Sequence, residues 1–425
     1  MSATEVVDRR WRLPRYGFPV ADGADTMSIA ELRAKHLNVT AGDVLLPALV
    51  IRESALANNV RVMSDFTRAH QAWLAPHAKT TMAPRVLQRQ LDAGAWGITV
   101  ANVAQARVAW LAGAPRVLVA NEVVGGPDIQ WLARTLEAGF PSVIVQVDSA
   151  HAVAILNRHL SDAGTTGRQH VLIEIGHVGG RTGARGSDDV MATAAAVADA
   201  RYLSLAGVAT YEGVVGHDRA AATLVRIDEH LAGVRETTER LAEIGAFDGV
   251  ERVLVSAGGT RFVDRVVTGL APGNWGNTAV DLVVRAGCYV TYGHGAGPDD
   301  SPFGEDGPFG QLLPALQLWA DVLSTPEPGL AIVGVGKRNV GERPNQLLPT
   351  HHADRTGAMV AVDGTIIVTG LDDQHAYLRH RDAGLRVGDR VAFGLQHPTT
   401  LDRWAVIPLI DDEGIIIDAV ETFFS

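Results

Sequence analysis

Cysteine is nearly absent from this chain, since Cys288 is the only one among 425 residues. A single thiol excludes an internal disulfide and is typical of a protein that works in a reducing compartment. Basic residues are outnumbered, because 37 Lys and Arg stand against 48 Asp and Glu, for a formal net charge of −11. A chain this acidic has no general electrostatic reason to bind nucleic acid or an anionic membrane.

Long apolar runs are missing as well. Residues 1–17 carry charges where a signal peptide needs an apolar segment. No later stretch approaches the roughly 18 uninterrupted apolar residues of a membrane span. Yet 47% of the residues are hydrophobic and 20% are charged, which is the composition of a globular protein. We therefore expect a soluble, cytoplasmic protein with one large and one smaller domain.

From about residue 73 to 290 one unit recurs, consisting of a short apolar run, an Ala-, Leu- and Arg-rich helical stretch and a glycine. Continuous apolar runs with many β-branched residues are typical of parallel strands that are covered on both faces. The eight runs are Trp73–Ala75, Gly97–Val100, Val117–Ala120, Val143–Val147, His170–Ile175, Leu203–Ala209, Arg252–Val255 and Asp281–Val284. Eight such units over about 210 residues predict a (β/α)8 barrel. The competing doubly wound sheet usually shows G-x-G-x-x-G after its first strand, and the chain lacks this motif.

The composition changes after about residue 295. Residues 293–310 are rich in Gly, Pro and Asp, which indicates a linker, and short alternating segments with turn signals such as Glu413-Gly414 follow it. We predict an N-terminal extension (1–44), a barrel domain (45–295) and a C-terminal all-β domain (296–425). The strand-like segment 45–51 precedes the barrel and could pair with the β domain.

Barrel enzymes carry their functional groups at the C-terminal ends of the strands. Lys79 directly follows the first strand, so we expect its ammonium group in the barrel mouth, where desolvation lowers the pKa as a Schiff-base lysine requires. The turns after the seventh and eighth strands offer polar groups where barrels commonly bind phosphate. Their residues are Ser256, Gly258, Gly259, Thr260, Gly287 and Cys288. Such a lysine together with a phosphate cradle indicates pyridoxal phosphate, although Ala-Gly-Gly-Thr alone is as often an ordinary turn.

The run 74–84, Leu-Ala-Pro-His-Ala-Lys-Thr-Thr-Met-Ala-Pro, resembles the lysine motif of one group of fold type III pyridoxal-phosphate enzymes. This is the D-serine dehydratase (deaminase) and D-threonine aldolase group, whose barrel is similar to that of alanine racemase. The likeness runs from about Leu45 to Phe424 and is greatest to bacterial D-serine or amino-acid deaminases. Other matching motifs are Trp96–Thr99, Gly179–Gly183, Tyr211–Gly213, Arg285–Tyr289, Leu313–Trp319, Asp373–Leu378 and His397–Pro398.

The resemblance implies a role for several of these residues. Lys79 would hold the cofactor covalently, with His77 beside it. Arg181 would face the pyridine nitrogen, where an always-protonated guanidinium makes the ring a weaker electron sink. The alternative for Arg181 is a structural ion pair with Glu174 inside the barrel.

Two tyrosines and the quaternary structure also follow from the resemblance. Tyr211 would line the pocket. Tyr289 would lie near the phosphate, unless it is only a packed aromatic residue with a satisfied hydroxyl. The implied partners are a small amino-acid substrate and a second copy of the chain, in a homodimer whose β domain completes the active site.

Dehydratases of this group hold a divalent metal, often zinc, through a His and a Cys two residues later, and the aldolases use His and Asp at that spacing. Here His397 is in place, but Thr399 stands where the cysteine is expected. The segment is one residue shorter than in relatives, which could bring Asp402 into reach. A hydroxyl is a poor zinc ligand. Three possibilities stay open: a metal held by His397 with Asp402 or water, a harder ion such as Mg or Mn, or no metal.

We predict a pyridoxal-phosphate lyase for D-amino acids with a β-hydroxyl, D-serine first, which releases a 2-oxo acid and ammonia. Lys79 would remove the α-proton, and His375 is a candidate acid or base. The alternatives are retro-aldol cleavage to glycine and an aldehyde, and racemisation, which loss of the metal favours. A non-catalytic pyridoxal-phosphate carrier is the alternative outside enzymes, but such carriers resemble a bare barrel, without a β domain of this size.

Overall fold

The computed structural model describes residues 11–12, 15–19, 26–138, 142–295, 300–342, 346–362, 364–381 and 384–424, without the side chains of residues 11, 12, 398 and 399. The strands are β1 Trp11–Arg12, β2 Thr26–Met27, β3 Ala48–Arg52, β4 Trp73–Leu74, β5 Ile98–Val100, β6 Arg116–Glu122, β7 Ser142–Val147, β8 Gln169–Ile175, β9 Leu203–Thr210, β10 Val253–Ala257, β11 Gly273–Trp275, β12 Thr278–Val284, β13 Leu316–Glu327, β14 Leu330–Val333, β15 Leu347–Ala353, β16 Met359–Ala361, β17 Ile366–Leu371, β18 Ala376–His380, β19 Arg390–Leu395, β20 Val406–Ile410 and β21 Ile416–Glu421. The helices are α1 Ile29–Ala34, α2 Glu53–Ala69, α3 Pro84–Asp92, α4 Val103–Leu111, α5 Gly126–Glu137, α6 Ala150–Asp162, α7 Ser187–Asp199, α8 Ala221–Glu243, α9 Val263–Gly269 and α10 Lys337–Val340. Within this part of the chain, no helix is long and apolar enough to cross a membrane.

Parallel strands alternate with helices and close into a barrel, as the sequence predicts. Strand β4 pairs with β12, and the order continues through β10, β9, β8, β7 and β6 to β5. A bridge between His77 and Thr99 and a hydrogen bond from the Trp96 N–H to the Leu74 carbonyl (2.7 Å) join β5 back to β4. In the described chain the barrel therefore has eight parallel strands, and the short strand β11 adds an antiparallel hairpin to β12.

The local sequence explains the regular length of these units. The Asn102 side chain caps α4 by accepting the Gln105 N–H (2.9 Å). Pro84 occupies the first turn of α3, where its missing N–H costs nothing. Gly94 and Gly113 follow helices with φ of +96° and +77°, a conformation that favours glycine.

The second domain is a ten-stranded sheet that includes β3 and β13 to β21. Strand β3 precedes the barrel in the chain but pairs antiparallel with β13, where Ala48 lies opposite Trp319, and parallel with β20. The pairing that the sequence allowed for 45–51 is therefore present. The barrel sheet itself begins only at β4, after helix α2.

The described part of residues 1–44 belongs to the core of this β domain. Phe18 and Leu32 have no exposed surface and pack in one cluster with Val50 and Trp319. Ser28 and Glu31 form a capping box that starts α1. What the sequence presents as an extension is thus one more layer on the sheet.

The two domains are joined by charged and aromatic contacts. Arg85 of α3 donates two hydrogen bonds to the Asp418 carboxylate of β21, both at 2.6 Å, and Arg33 adds a third at 3.0 Å. The predicted linker 293–310 also packs in its described part, because the rings of Phe303 and Phe309 lie 5.1 and 5.4 Å from the Phe66 ring of α2. The described part of this predicted linker is therefore packed on helix α2.

Candidate active site

A cavity of about 1110 Å³ opens at the C-terminal ends of the barrel strands. Its floor and one side come from turns that follow β4, β8, β9, β10 and β12. The opposite side comes from the segment after β12 and from the β domain. The residues of that opposite side include Gly293, Asp300, Gln346, Gln396, His397, Asp402 and Arg403. The cavity therefore lies where both domains contribute, as is common for small-molecule sites.

Lys79 extends into this cavity from a 3-10 turn, Ala78–Thr80, that lies shortly after β4 in the chain. Much of its surface is accessible because the side chain reaches open cavity space. Desolvation by the cavity wall lowers the pKa of Lys79, Arg181 and Arg285 lower it further, and Cys288 acts in the opposite direction. Lys79 therefore reaches the neutral amine form more readily than an ordinary lysine.

His77 lines the cavity two residues before the lysine. Its Nδ1 atom is buried and has no hydrogen-bond partner among the described residues. Burial lowers the pKa of His77 well below its usual value, and the cations Lys79, Arg285 and Arg181 contribute. The imidazole is consequently neutral, and one of its ring nitrogens is left for a ligand to satisfy.

The turn after β12 forms a close contact with the lysine turn. A Cβ atom added to Gly287 would lie 2.8 Å from both the His77 carbonyl oxygen and the Thr80 hydroxyl. In the described structure the N–H groups of Gly287 and Cys288 donate to no protein acceptor. The Tyr289 N–H does have a partner, the Thr260 hydroxyl (3.1 Å). This turn thus keeps two adjacent N–H donors for an anion.

The glycine turn after β10 is arranged differently from the prediction. Gly258 and Gly259 line the cavity, but their N–H groups donate to the Glu212 carboxylate at 3.0 and 2.7 Å. The expectation that both glycines supply N–H groups to a phosphate does not fit this geometry, because a side chain from another strand already accepts them. Thr260 remains available through its N–H group.

Two other predicted cofactor residues do not line the cavity. The Ser256 hydroxyl is buried and donates to the Val283 carbonyl on the neighbouring strand (3.1 Å). The Tyr289 ring is fully buried and its hydroxyl accepts a hydrogen bond from the Gln90 side chain (2.7 Å). For Tyr289 the structure matches the alternative of a packed aromatic residue with a satisfied hydroxyl.

Two guanidinium groups face the site from different depths. Arg181 is exposed and lies over the Tyr211 ring, 4.7 Å from its centroid. Arg285 is 5% exposed and donates through Nη2 to the Thr210 carbonyl, while its Nη1 atom is buried without a partner in the described structure. Burial lowers the pKa of Arg285 to about 10, and Glu174 and Glu212 raise it, so the group stays charged at neutral pH. The sequence analysis named Arg285 only as part of a motif. Its position directly after β12 could have predicted that it lies at the barrel mouth.

Two acidic side chains, Glu174 and Glu122, lie close to each other inside the barrel. Glu174 is 3% exposed, and both carboxylate oxygens of Glu122 are buried without a hydrogen-bond partner in the described chain. Burial and then the neighbouring Glu174 carboxylate raise the pKa of Glu122 to about 8. In the described structure no salt bridge joins Glu174 to Arg181, so the ion pair that the sequence offered as the alternative for Arg181 is not present; the Glu174 charge instead raises the pKa of Arg285.

The predicted metal ligands are only partly brought together. His397 and Asp402 both line the cavity, and the side chain of Thr399 lies outside the described residues. Partial burial lowers the pKa of His397, and Arg261 and Lys79 lower it further. In the part of the chain that the structure describes, no three His, Cys, Asp or Glu side chains form a metal-binding group. A site held by two residues, as the resemblance implies, is smaller than such a group, so a metal at His397 with Asp402 or water stays a prediction.

His375 does not join the cavity of its own chain. It lies in the turn between β17 and β18, exposed to solvent, where its carbonyl accepts the Asp372 N–H (2.8 Å). The structure thus places His375 outside this cavity, and its role as an acid or base stays a prediction. The sequence alone could not show this position, because it does not reveal which turn of the β domain faces the barrel.

The residues at the barrel mouth do fit pyridoxal phosphate. A lysine with a lowered pKa extends into the cavity, and Gly287 and Cys288 present unused N–H groups beside it. The unpartnered Nδ1 of His77 and Nη1 of Arg285 are buried polar atoms that a bound polar ring would satisfy. The cavity is large enough for such a group together with an amino acid.

Comparisons with known proteins agree with this fold and site. Residues 51–264 match the family described as alanine racemase, N-terminal domain, and residues 315–410 match the putative serine dehydratase domain. A 3-hydroxy-D-aspartate aldolase from Paracoccus denitrificans (strain Pd 1222) is 26% identical over 355 residues, which cover 82% of this chain and 84% of the relative. A D-threonine aldolase from Arthrobacter sp is 26% identical over 295 residues, covering 69% and 72%.

Solved structures with the same architecture confirm the predicted fold. The D-threonine aldolase from Filomicrobium marinum superposes with a TM-score of 0.75 at 24% identity, covering 91% of this chain and 97% of that protein. The D-threo-3-hydroxyaspartate dehydratase from Delftia sp. HT23 gives 0.72 at 22% identity, covering 92% and 100%. A barrel followed by an antiparallel β domain is thus shared along nearly the whole chain.

Proposed function

Because the chain belongs to the family of fold type III pyridoxal-phosphate lyases that join an alanine racemase N-terminal domain to a serine dehydratase-like domain, we propose a specific reaction for it. It eliminates water from D-amino acids with a β-hydroxyl, D-serine-like first, and yields a 2-oxo acid and ammonia. The observation that carries this proposal is the placement of Lys79, an amine with a lowered pKa, inside a polar cavity. Family membership also sets aside the non-catalytic carrier.

In this proposal Lys79 binds the cofactor covalently, and the N–H groups of Thr260, Gly287 and Cys288 bind its phosphate. Arg285, not Arg181, donates to the ring nitrogen, because Arg285 has the buried and unsatisfied N–H group. Arg181 then lies over Tyr211 at the mouth, where a guanidinium suits a substrate carboxylate. Bound pyridoxal phosphate supplies a conjugated electron sink that acidifies the Cα–H bond of an attached amino acid.

The lysine provides both proton transfers of the elimination. As a neutral amine, Lys79 would accept the α-proton at Nζ, and the neighbouring Arg181 and Arg285 favour this neutral form. The electron pair of the broken C–H bond forms the Cα=Cβ bond while the C–O bond breaks. The Lys79 ammonium then donates its proton to the departing hydroxyl, which leaves as water. Hydrolysis of the unsaturated amine gives the 2-oxo acid and ammonia.

A second candidate is retro-aldol cleavage, and one observation favours it. The lowered pKa of His397 leaves a neutral imidazole at the cavity wall, which suits a group that accepts the β-hydroxyl proton. Loss of that proton would break the Cα–Cβ bond and release an aldehyde, and return of a proton to Cα would give glycine. The names of two relatives, 3-hydroxy-D-aspartate aldolase and D-threonine aldolase, support this alternative.

Product analysis separates the two reactions. Purified holoprotein would be incubated with D-serine, D-threonine and 3-hydroxy-D-aspartate, with the L-enantiomers as controls, and ammonia, glycine, aldehyde and the enantiomer of the remaining amino acid would be measured. The proposal expects ammonia and a 2-oxo acid from the D-enantiomers. Glycine and aldehyde without ammonia would replace it with the retro-aldol reaction, and accumulation of the L-enantiomer would replace it with racemisation.

Matched variants assign the roles of the two bases. The change Lys79→Ala should abolish turnover, whereas Lys337→Ala, outside the cavity, should leave it unchanged. The change His397→Gln should slow elimination far less than retro-aldol cleavage, since only the latter needs the imidazole as a base. Normal elimination by Lys79→Ala would contradict the mechanism.

The homodimer also belongs to the proposal. It would bring a β-domain turn such as the one with His375 toward the barrel mouth of the partner subunit. Light scattering of the purified holoprotein tests this, and a mass of one chain at micromolar concentration would contradict it.

A further inference from the structure

Glu212 is a buried carboxyl group without a role in the reaction just described. It follows β9 in the short turn Glu212–Val214 and has no exposed surface. Its Oε2 atom accepts the Gly258 N–H at 3.0 Å and its Oε1 atom accepts the Gly259 N–H at 2.7 Å. A carboxylate thus sits on two adjacent N–H groups in the same way that an anion would.

A buried carboxyl group is costly unless its oxygens are satisfied. Burial raises the pKa of Glu212, and the N–H groups of Gly259 and Gly258 together with the Arg285 charge lower it. The residue is therefore stabilised by the same turn that it holds. Such an arrangement fixes the position of the turn more firmly than backbone contacts alone.

The turn itself has little freedom to adopt another position. Gly258 has φ of +102°, which favours glycine. A Cβ atom on Gly259 would lie 3.2 Å from the Tyr211 ring, so this backbone packs directly against the segment that carries Glu212. The carboxylate and the ring thus bind the turn from the same side.

The next residue connects this turn to the other half of the phosphate cradle. The Thr260 hydroxyl accepts the Tyr289 N–H (3.1 Å), and Tyr289 directly follows the free donors of Gly287 and Cys288. A chain of contacts therefore runs from Glu212 through the glycine turn and Thr260 to the turn after β12. A displacement of Glu212 would therefore also displace the turn after β12.

We propose that Glu212 is a positioning residue that holds the Gly258–Gly259 turn in place. It thereby aligns the two halves of the phosphate cradle, the Thr260 N–H group after β10 and the N–H groups of Gly287 and Cys288 after β12. The inference rests on the cofactor of the family and not on the choice between elimination and retro-aldol cleavage. Its test measures binding, so that its failure and failure of the proposed reaction are distinguishable.

The test compares two ligands that differ only in the phosphate. Apoprotein of wild type and Glu212→Gln would be titrated with pyridoxal phosphate and with pyridoxal, followed by absorbance. An amide accepts only one of the two N–H groups and presents its own N–H to the other. We expect pyridoxal phosphate to bind about ten- to a hundredfold more weakly, with the affinity for pyridoxal changed less than about twofold.

The control is Glu53→Gln, which makes the same chemical change in α2. Glu53 pairs with Arg89 at 2.6 Å, outside the cavity. This variant should bind both ligands as wild type does. Glu212→Asp, which keeps the charge but is one methylene shorter, should fall between wild type and Glu212→Gln for pyridoxal phosphate.

Several results would overturn the proposal. Equal loss of affinity for both ligands would make Glu212 merely structural, and an unchanged affinity would show that the turn does not need it. Tighter binding of pyridoxal phosphate would show that the carboxylate competes with the phosphate.

Amide hydrogen exchange on the wild-type protein keeps the test independent of how the variants fold. The Gly258 and Gly259 amides should be protected with and without cofactor, whereas those of Thr260, Gly287 and Cys288 should gain protection only when pyridoxal phosphate binds. Protection of the two glycine amides that appears only with the cofactor would contradict the proposal.

Discussion

The change Gly287→Ala probes the contact between the two turns that form the cofactor site. Its Cβ atom would lie 2.8 Å from the His77 carbonyl oxygen and 2.8 Å from the Thr80 hydroxyl. The backbone φ at Gly287 is −122°, outside the positive range that favours glycine, so the main effect is expected from the contact. Because one neighbour is a backbone carbonyl, a side-chain rotation cannot relieve the contact, and the turn after β12 must move.

The expected magnitude follows from two contributions. Overpacking by one methyl group in a well-packed region costs about 1–3 kcal/mol of the free energy of unfolding. The movement also displaces the N–H groups of Gly287 and Cys288, and loss of one hydrogen bond to a charged phosphate is worth about 1.5–3 kcal/mol. Affinity for pyridoxal phosphate should therefore fall about ten- to a hundredfold.

Urea unfolding of the apoprotein and titration with pyridoxal phosphate measure the two contributions separately. The control is Gly233→Ala on the exposed face of α8, where a Cβ atom would meet nothing within 4 Å. That variant should be more stable by about 1 kcal/mol and should bind the cofactor as wild type does. If Gly287→Ala keeps wild-type stability and affinity, the close approach of the two turns is refuted.

Two further predictions concern charges. Asp418→Asn should lower the free energy of unfolding by about 2–3 kcal/mol, which is less than the roughly 3–5 kcal/mol of a fully buried pair because Arg85 is partly exposed. Asp65→Asn, which removes only exposed ion pairs, should change it by less than about 0.5 kcal/mol. Urea unfolding measures both, and equal effects would contradict the role of Asp418 in joining the two domains. The pKa of Glu122 is about 8 in the folded protein against an ordinary 4.5. As the pH rises between these values, the unfolded chain loses this proton while the folded protein keeps it, so the free energy of unfolding falls. Glu122→Gln should therefore be more stable than wild type at pH 9, by about 1–2 kcal/mol after allowance for partial exposure, and this gain should vanish near pH 4.5; a gain that does not depend on pH would contradict the assigned cause.

Features that depend on the order of residues along the chain were predictable. The apolar runs and the capping residues Asn102 and Pro84 set the alternation of strands and helices, and eight such units close into a barrel. Lys79 was predictable as well, because a residue directly after the first strand must lie at the C-terminal mouth. The packing of the described N-terminal residues on the β sheet was not, since short irregular segments carry no periodic pattern.

Features that depend on which neighbour a polar group meets were not predictable. Ser256 and Tyr289 have suitable chemistry for a phosphate site, but the hydroxyl of the first donates to Val283 and that of the second accepts from Gln90. Glu212 takes the two glycine N–H groups from a strand that is distant in sequence. Hydrogen-bond competition of this kind is decided by tertiary contacts, which a single sequence does not display.

The covalent attachment of pyridoxal phosphate is the central claim, and the chain offers a sharp test of it. Of its three lysines, Lys35, Lys79 and Lys337, only Lys79 lines the cavity. Borohydride reduction of the holoprotein and peptide mass spectrometry would locate the attached cofactor, with the other two lysines as internal controls. We predict a reduced pyridoxyl group on the Lys79 peptide alone and none in Lys79→Ala; attachment at Lys35 or Lys337, or no attachment to wild type, would contradict the account.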